Sequence, residues 1–426
     1  MIWNQWYAIR SHVRSSLWAV PLLALLLEQA TIHLVMALEH QIDWMVPAWP
    51  WASAGTQIAL QTIITLVLSF LVFTFGSMLV AIQVASGQLT PRIIATTLLR
   101  DNVIRFSVGQ FVFTLLFAIG AVARIDQKIP HALAWVSAIL GLASIVTFLF
   151  LIDYAARLLR PVSIVWRVGE LGIEVIDSVY PKQISETETA SAPCPRRGVP
   201  DLIVAHQGKS AVILAVNLDG LVAEAKRINA VVEFVPSIGD FVAVGEPLFM
   251  VRGNSGSIDE RGLCKAVAFG PERTIEQDST FAFRVIVDIA IKALSKAIND
   301  PTTAVLAIDQ LHRLLRVVGR RHLHDQKIAD DTGQLRVIFR TPNWDDFVQL
   351  SFREIRLYGA ENFQIARRLR AMIDNLMQVL PERRRPALAQ ELMLLDRAID
   401  VCYPFPEDRV VARIPDLQGL GGSSAS

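Results

Sequence analysis

Over the first 160 residues, polar and charged positions fall in short breaks between four long apolar runs. The longest, residues 57–84, reads QIALQTIITLVLSFLVFTFGSMLVAIQV and carries no charge. As a helix it is about 42 Å long, more than the ~30 Å hydrocarbon core of a bilayer. It must therefore tilt or protrude. With residues 16–38, 106–123 and 131–152, it predicts four transmembrane helices in a transmembrane domain at 1–160. Within the long run, Thr62, Ser69, Gly76 and Gln83 recur every seven positions, and Thr65 lies one turn from Thr62. These residues share one side of a helix. In lipid such a stripe wants another helix or water, so it reads either as a packing seam or as the lining of a polar pathway.

The breaks set the orientation. Residues 40–55 hold Trp44, Trp49 and Trp51 without Lys or Arg, which suits an outer-face loop on the membrane surface. Residues 86–105, SGQLTPRIIATTLLRDNVIR, suit a short basic interfacial helix opened by Pro91. Arg10, Arg14, Arg92, Arg100, Arg105, Arg157, Arg160 and Arg167 fall on one side of the spans, and only Arg124 and Lys128 on the other. That bias places both termini in the cytoplasm. The opening MIWNQWYAIRSHVR does not read as a signal peptide, and the first run is expected to be a retained helix.

Beyond the spans the texture changes. A helical segment with Trp166 and a polar linker, PKQISETETASAPCPRR, fill 161–200. Residues 201–268 read as a small β-rich domain, with strands LIVAH, SAVILAV and VVEFV and a short helix at 221–229 capped by Asp219. The run GDFVAVGEPLFMV resembles the half-motif of barrel-sandwich domains, the folds of biotinyl carriers and efflux adaptors. No lysine hairpin tip is present, which argues against a swinging arm. Residues 269–405 read as an all-α domain: a helix at 275–297, another opened by Asp300 and Pro301, and three more at 343–358, 361–379 and 382–400. The RRLR and ERRR runs are expected on exposed faces, within reach of anionic lipid. Residues 406–426 read as a flexible tail. The expected fold is thus an α-helical membrane protein followed by an α+β region.

Composition narrows the chemistry. The chain of 426 residues is 52% hydrophobic and 19% charged, with a net charge of +1, so a nucleic-acid partner is not expected. Cys194, Cys264 and Cys402 stand far apart and form no zinc or disulfide pattern. No cofactor and no metal are expected. Glu28 lies near the middle of the first span, where an ionised group costs about 2.5–3.5 kcal/mol on translocon scales. It reads as a neutral carboxyl bonded to a neighbouring helix, or as a proton or cation site, with Gln61, Gln110 and Arg124 as available partners. His33 reads as interfacial. In the helical domain, Arg284 to Asp288 and Asp288 to Lys292 are four apart and can pair. Arg273, Gln277, Asp278, Asp288, Asn299 and Asp300 form a candidate polar ligand or interface site, or else a solvated helix face. No nucleophile–base or metal-ligand constellation is visible, so an enzyme is not expected.

Four phrases together resemble a bacterial family of predicted membrane proteins, domain of unknown function 2254. They are VAIQVASGQLTPRII, GDFVAVGEPL, FGPERTIEQDSTFAFRVIVDIAIKALSKAINDPTTA and the closing DLQGLGG. The resemblance covers nearly the full length. One departure is Lys296, where the family's run is expected to hold proline. The resemblance implies an architecture and no activity. It points to Gln83, Ser86, Gln88, Pro91 and Arg92 as a cytoplasmic mouth of the membrane helices. The expected function is an oligomeric inner-membrane protein conducting or transporting a small ion under control of its cytoplasmic domain. The alternative is a membrane-anchored scaffold or regulator that binds a protein partner or small ligand.

Overall fold

The computed structural model describes residues 3–14, 16, 18–42, 49–88, 101–125, 131–158, 160–184, 199–253, 258–323 and 327–421. They form two units: His12–Gly87 with Pro91–Ile164, and Met1–Ser11, Gln88–Thr90 and Val165–Ser426.

After α1 (Trp3–Arg14), the first unit is built from α2 (Ala19–Ile42), α3 (Ser53–Gln88), α4 (Asn102–Val122) and α5 (His131–Leu158). Each contains a stretch long and apolar enough to cross a membrane. α4 is the central helix: half of its span is buried, against 17–22% in the others. Two glycines let α2 close on it. A Cβ at Gly109 would lie 2.6 Å from Val20 Cγ1, and one at Gly120 would lie 2.4 Å from Ile32 Cδ1. Val67 and Leu71 of α3 join Ile104, Val108 and Phe111 of α4 and Leu151 of α5 in one apolar cluster. Ile32, Leu60, Phe117, Ala121 and Leu133 form a second.

The ends of these helices move from the expected positions for local reasons. α3 has 36 residues rather than 28, extending four residues at each end. α4 opens four residues before 106, because Asp101 caps it: the Ile104 amide donates to its carboxylate at 3.2 Å, and the Tyr154 hydroxyl donates to it at 2.5 Å. Asp101 is buried, although the sequence places it among polar loop residues. α5 runs to Leu158, with Asp153 and Arg157 paired along its last turns.

In the second unit α6 (Pro161–Val179) leads to β1 (Leu202–Ala205), β2 (Ala211–Val216), α7 (Leu218–Arg227), β3 (Ala230–Phe234), β4 (Phe241–Val242) and β5 (Pro247–Gly253). Then come α8 (Glu260–Lys265), β6 (Val267–Gly270), α9 (Ser279–Ala293), α10 (Pro301–Val318), β7 (Lys327–Ala329) and β8 (Leu335–Phe339). The chain closes with α11 (Trp344–Gly359), α12 (Phe363–Val379), α13 (Arg385–Cys402) and α14 (Pro406–Ala412). One sheet runs β1-β5-β3-β8-β7 and the other β4-β2-β6. Neither closes on itself, so the barrel-sandwich expectation is corrected to two open sheets around a shared core that includes Val204, Val216, Leu221, Val232, Phe249 and Val337. β8 pairs parallel with β3, which a sandwich half-motif does not anticipate.

α9 is the hub of the helical part. Phe281, Phe283, Val285, Ile286 and Ile289 are all buried, and α10 and α11 pack on it. α12 packs on α10, and α13 on α11 and α12. Two local expectations change. The short helix is capped by Asn217, whose side chain accepts from the Gly220 amide at 3.1 Å, and not by Asp219. The expected flexible tail is ordered through residue 421. There the buried Asp416 accepts the Gln418, Gly419 and Gly421 amides at 3.0, 2.8 and 2.6 Å. Arg367, 1% exposed, donates to the Ile414 and Gly421 carbonyls at 2.9 and 3.1 Å. The RRLR run is therefore not a wholly exposed face: Arg367 and Arg368 hold this strap, and Arg370 pairs with Asp396.

Candidate functional site

The stripe on α3 is the first candidate. The buried positions Leu60, Val67, Leu71 and Thr74 turn toward the bundle. Thr62, Thr65, Ser69, Gly76 and Gln83 are exposed. At 100° per residue they lie about 140–180° around the helix from Val67, on the far side. Their hydroxyls turn back onto the helix itself: Thr62 donates to the Ile58 carbonyl at 2.8 Å, Thr65 to Gln61 at 2.9 Å and Ser69 to Thr65 at 2.8 Å. A Cβ built at Gly76 meets nothing within 4 Å. The stripe is thus not a seam within its own bundle. The expected mouth lies outside the description: Pro91 and Arg92 are not among the described residues, and only the backbones of Ser86 and Gln88 are described.

Glu28 is 3% exposed, on the side of α2 that faces α4. The Gln29 side chain donates to its Oε2 at 3.0 Å. Its Oε1 and the Arg124 Nη1 both border Gly120, 3.2 and 3.4 Å from where a Cβ there would sit, and Nη1 donates to the Gly120 carbonyl at 2.8 Å. Of the three partners offered by the sequence, Arg124 is the one that borders the same glycine as Glu28. Gln110 accepts instead from Thr147 at 2.9 Å, and Gln61 is exposed. His33 is exposed too.

The six polar residues singled out in the helical domain are distributed, not gathered. Asp278 caps α9, accepting the Phe281 amide at 3.1 Å, and so precedes the helix expected to contain it. Arg273 grips the same carboxylate at 2.9 Å through Nε. Gln277 Oε1 accepts the Val216 amide at 3.1 Å. Asp288 pairs with Arg284 in mid-helix, and Arg284 also reaches Glu354 of α11. Both acids hold the Arg284 guanidinium well above its ordinary range, with Glu354 the larger cause. Asn299, at φ +49°, and Asp300 lie past the other end of α9, where Asp300 caps α10 by accepting the Thr303 amide at 3.0 Å. Lys296 sits exposed in the turn between α9 and α10.

Gln277 and Asp278 border a cavity of about 410 Å³ whose lining includes Tyr180, Asn217, Ser279, Arg340 and Thr341. Burial, the largest cause, pushes the Tyr180 phenol up to about 12. Gly239, at φ +91°, fits against the Arg273–Asp278 pair: a Cβ there would lie 2.4 Å from Asp278 Oδ2. The fold thus joins two of the phrases that carry the resemblance, GDFVAVGEPL and FGPERTIEQDST. Among the described residues no group of His, Cys, Asp and Glu is placed to hold a metal ion. Sequence reasoning missed Tyr180, Asp101 and the Arg367–Asp416 strap. The closing DLQGLGG was visible as a phrase, but its role in binding Arg367 was not.

Four span-length apolar helices followed by a mixed helical and sheet region define a membrane protein with a large extramembrane part. The family model described as "Predicted membrane protein (DUF2254)" matches residues 14–375, and the chain belongs to that family. An uncharacterized protein of Mycobacterium bovis is 25% identical over 351 residues, covering 79% of this chain and 67% of its own. An uncharacterized protein of Mycobacterium tuberculosis has the same identity and coverage. No solved structure matches the chain.

Proposed function

We propose that the chain is an integral protein of the bacterial inner membrane, with both termini cytoplasmic, that assembles into a homo-oligomer through the outward face of α3. Along that interface it conducts or transports a small ion, under control of its α+β unit. It acts without catalysis. The observation that carries the reading is the direction of the stripe: Thr62, Thr65, Ser69, Gly76 and Gln83 face away from their own bundle. A polar and small-residue face in lipid is stabilised by another helix or by water, and closed symmetry places like faces around one axis. The apolar clusters between α3, α4 and α5 favour a route between chains over one within a chain. The arginine bias supports the orientation.

The test places single cysteines at Thr62, Ser69 and Gly76 in a background without the native cysteines. The expected result is cross-linked oligomers in membranes from these positions and not from Val67 or Leu71. Liposomes holding the purified protein should pass monovalent cations or protons, and Gln83→Leu should change that flux. Monomers alone, with no flux under any gradient or potential, overturn the reading. The 410 Å³ cavity at the start of α9 favours a second reading, a membrane-anchored regulator with a small-molecule site. A ligand that raises the melting temperature of the wild type and not of Arg340→Ala would support it.

A further inference from the structure

A second cavity lies in the α+β unit, away from the start of α9. It is a groove of about 440 Å³ along α10, lined by Arg313, Arg316, Arg320 and Arg321 with His312, and by a single acid, Asp309. The acids that answer these arginines are already engaged. Glu170 of α6 pairs with Arg313 at 2.7 Å, Asp177 pairs with Arg321, and Asp309 is held by Arg368 at 2.6 Å. Arg316, in the last turn of α10, and Arg320, two residues past its end, are exposed and four residues apart, with no acid paired to either among the described residues. Like charges at that spacing repel unless an anion lies between them. Arg313 lies 4.4 Å over the Trp166 ring, and its Nη1 is buried with no hydrogen-bond partner among the described residues. A buried guanidinium nitrogen without an acceptor is costly, and an anion in the groove would supply one. The volume suits a small ligand or a lipid headgroup.

We propose that the α10 groove binds a phosphate-bearing anion, held by Arg316 and Arg320 with Arg313 behind them. Guanidinium groups meet phosphate oxygens in pairs, which a lone ammonium cannot do. The phosphate has two sources, an anionic phospholipid headgroup or a soluble phosphorylated compound. The chain makes the first concrete, since Trp166 follows the end of α5 by only eight residues. This site does not depend on ion conduction.

The experiment uses the full chain in nanodiscs and has two arms. In one, native mass spectrometry counts phosphatidylglycerol retained from discs of equal phosphatidylglycerol and phosphatidylcholine. In the other, phosphatidylcholine discs are titrated with inorganic pyrophosphate at constant ionic strength. Wild type should bind in at least one arm. Arg316→Gln with Arg320→Gln should weaken that binding about tenfold or more, and Arg316→Lys with Arg320→Lys should fall between. Both side chains are exposed, so the melting temperature should be unchanged. Lipid retention alone assigns the headgroup, pyrophosphate binding alone assigns a soluble phosphate, and both together leave the site shared. Each of these supports the proposal. Binding in neither arm, or binding unchanged in the folded glutamine variant, overturns it.

Discussion

α3 and α4 are both apolar helices long enough to span a membrane, yet they place their polar residues in opposite directions. In α4 the small and polar positions face in. Gly109 and Gly120 admit α2, Thr114 accepts from the buried Ser144 at 3.2 Å, and Gln110 accepts from Thr147. In α3 the residues of the stripe face out, and the hydroxyls of Thr62, Thr65 and Ser69 satisfy themselves on their own backbone. Lipid offers no polar partner, so each hydroxyl must find one in protein. α4 finds partners across the bundle and fixes its neighbours. α3 finds them within itself and keeps its face available. Composition alone does not tell a structural helix from an interactive one, whereas the direction of the polar residues does.

The largest expected effect tests the inward side. Gly120→Val in α4 drives a methyl into Ile32 and into the space shared by Glu28 and Arg124. It should cost about 3 kcal/mol, the upper part of the overpacking range. Gly76→Val on α3 should stay within about 0.5 kcal/mol for the monomer, and any larger loss should appear only in the oligomer. Denaturation in detergent reads the first effect, and cross-linking in membranes reads the second. Equal costs at the two glycines would erase the contrast.

The contrast holds in the α+β unit as a matter of pH. Burial raises the Tyr180 phenol from 10 to about 12, so the folded state holds its proton more tightly than the unfolded state. That stability is complete below pH 10 and is lost as the pH rises through 12. The loss is on the order of 2–3 kcal/mol, from about 1.4 kcal/mol for each pH unit of difference. Tyr180→Phe should remove this part of the alkaline slope in urea denaturation. Tyr403, also raised to about 12, keeps its share in both proteins.

How much of this is legible in the chain follows from how local each cause is. The spans are readable because hydrocarbon demands some twenty uncharged residues in a row, and the start of α10 because Asp300 and Pro301 are adjacent in sequence. The Arg284–Asp288 pair is a matter of spacing alone. The period of the α3 stripe is readable, but its direction is not, because that depends on which face Val67 and Leu71 turn to α4. The parallel pairing of β3 with β8 joins segments about a hundred residues apart. Asp278 reads as helical from its neighbours, but it takes the cap. Basic runs mislead in both directions. RRLR looks like surface, yet Arg367 is sealed under the strap. The arginines of the α10 groove alternate with apolar core positions such as Leu314, Leu315 and Val318 and form no obvious run until the helix is built.

A smaller effect separates hydroxyls by direction. Thr114→Val removes a partner that Ser144 uses inside the bundle and should cost about 0.6 kcal/mol, with ~1.7 as an upper bound. Ser144→Ala made with it should add little more, because the two share one bond. Thr62→Val on the outward face should leave monomer stability unchanged within about 0.5 kcal/mol. A loss from Thr62→Val as large as that from Thr114→Val would place the α3 face inside a packed interface of the single chain, against the structure.

The smallest effect belongs to a residue that is neither inside nor outside. His312 is half-buried on α10 and shares a hydrogen bond with the Asn375 side chain at 2.9 Å. Burial holds its imidazole below the ordinary range, and Arg368 and Arg316 add to the effect against the Asn375 hydrogen bond and Asp309. The folded state therefore binds this proton less readily than the unfolded state. The stability that His312 contributes is present above its ordinary value of 6.5 and is lost as the pH falls below it. His312→Gln keeps a hydrogen-bonding group beside Asn375 without a titrating ring, so its stability should fall less steeply between pH 7.5 and 5. Glu391 and Asp374 titrate in both proteins, so the difference between the two curves is the quantity to read. An anion in the groove would oppose the charge of Arg316 and favour the protonated ring. Inorganic pyrophosphate should therefore narrow the gap between wild type and His312→Gln, and should not do so once Arg316 and Arg320 are glutamine.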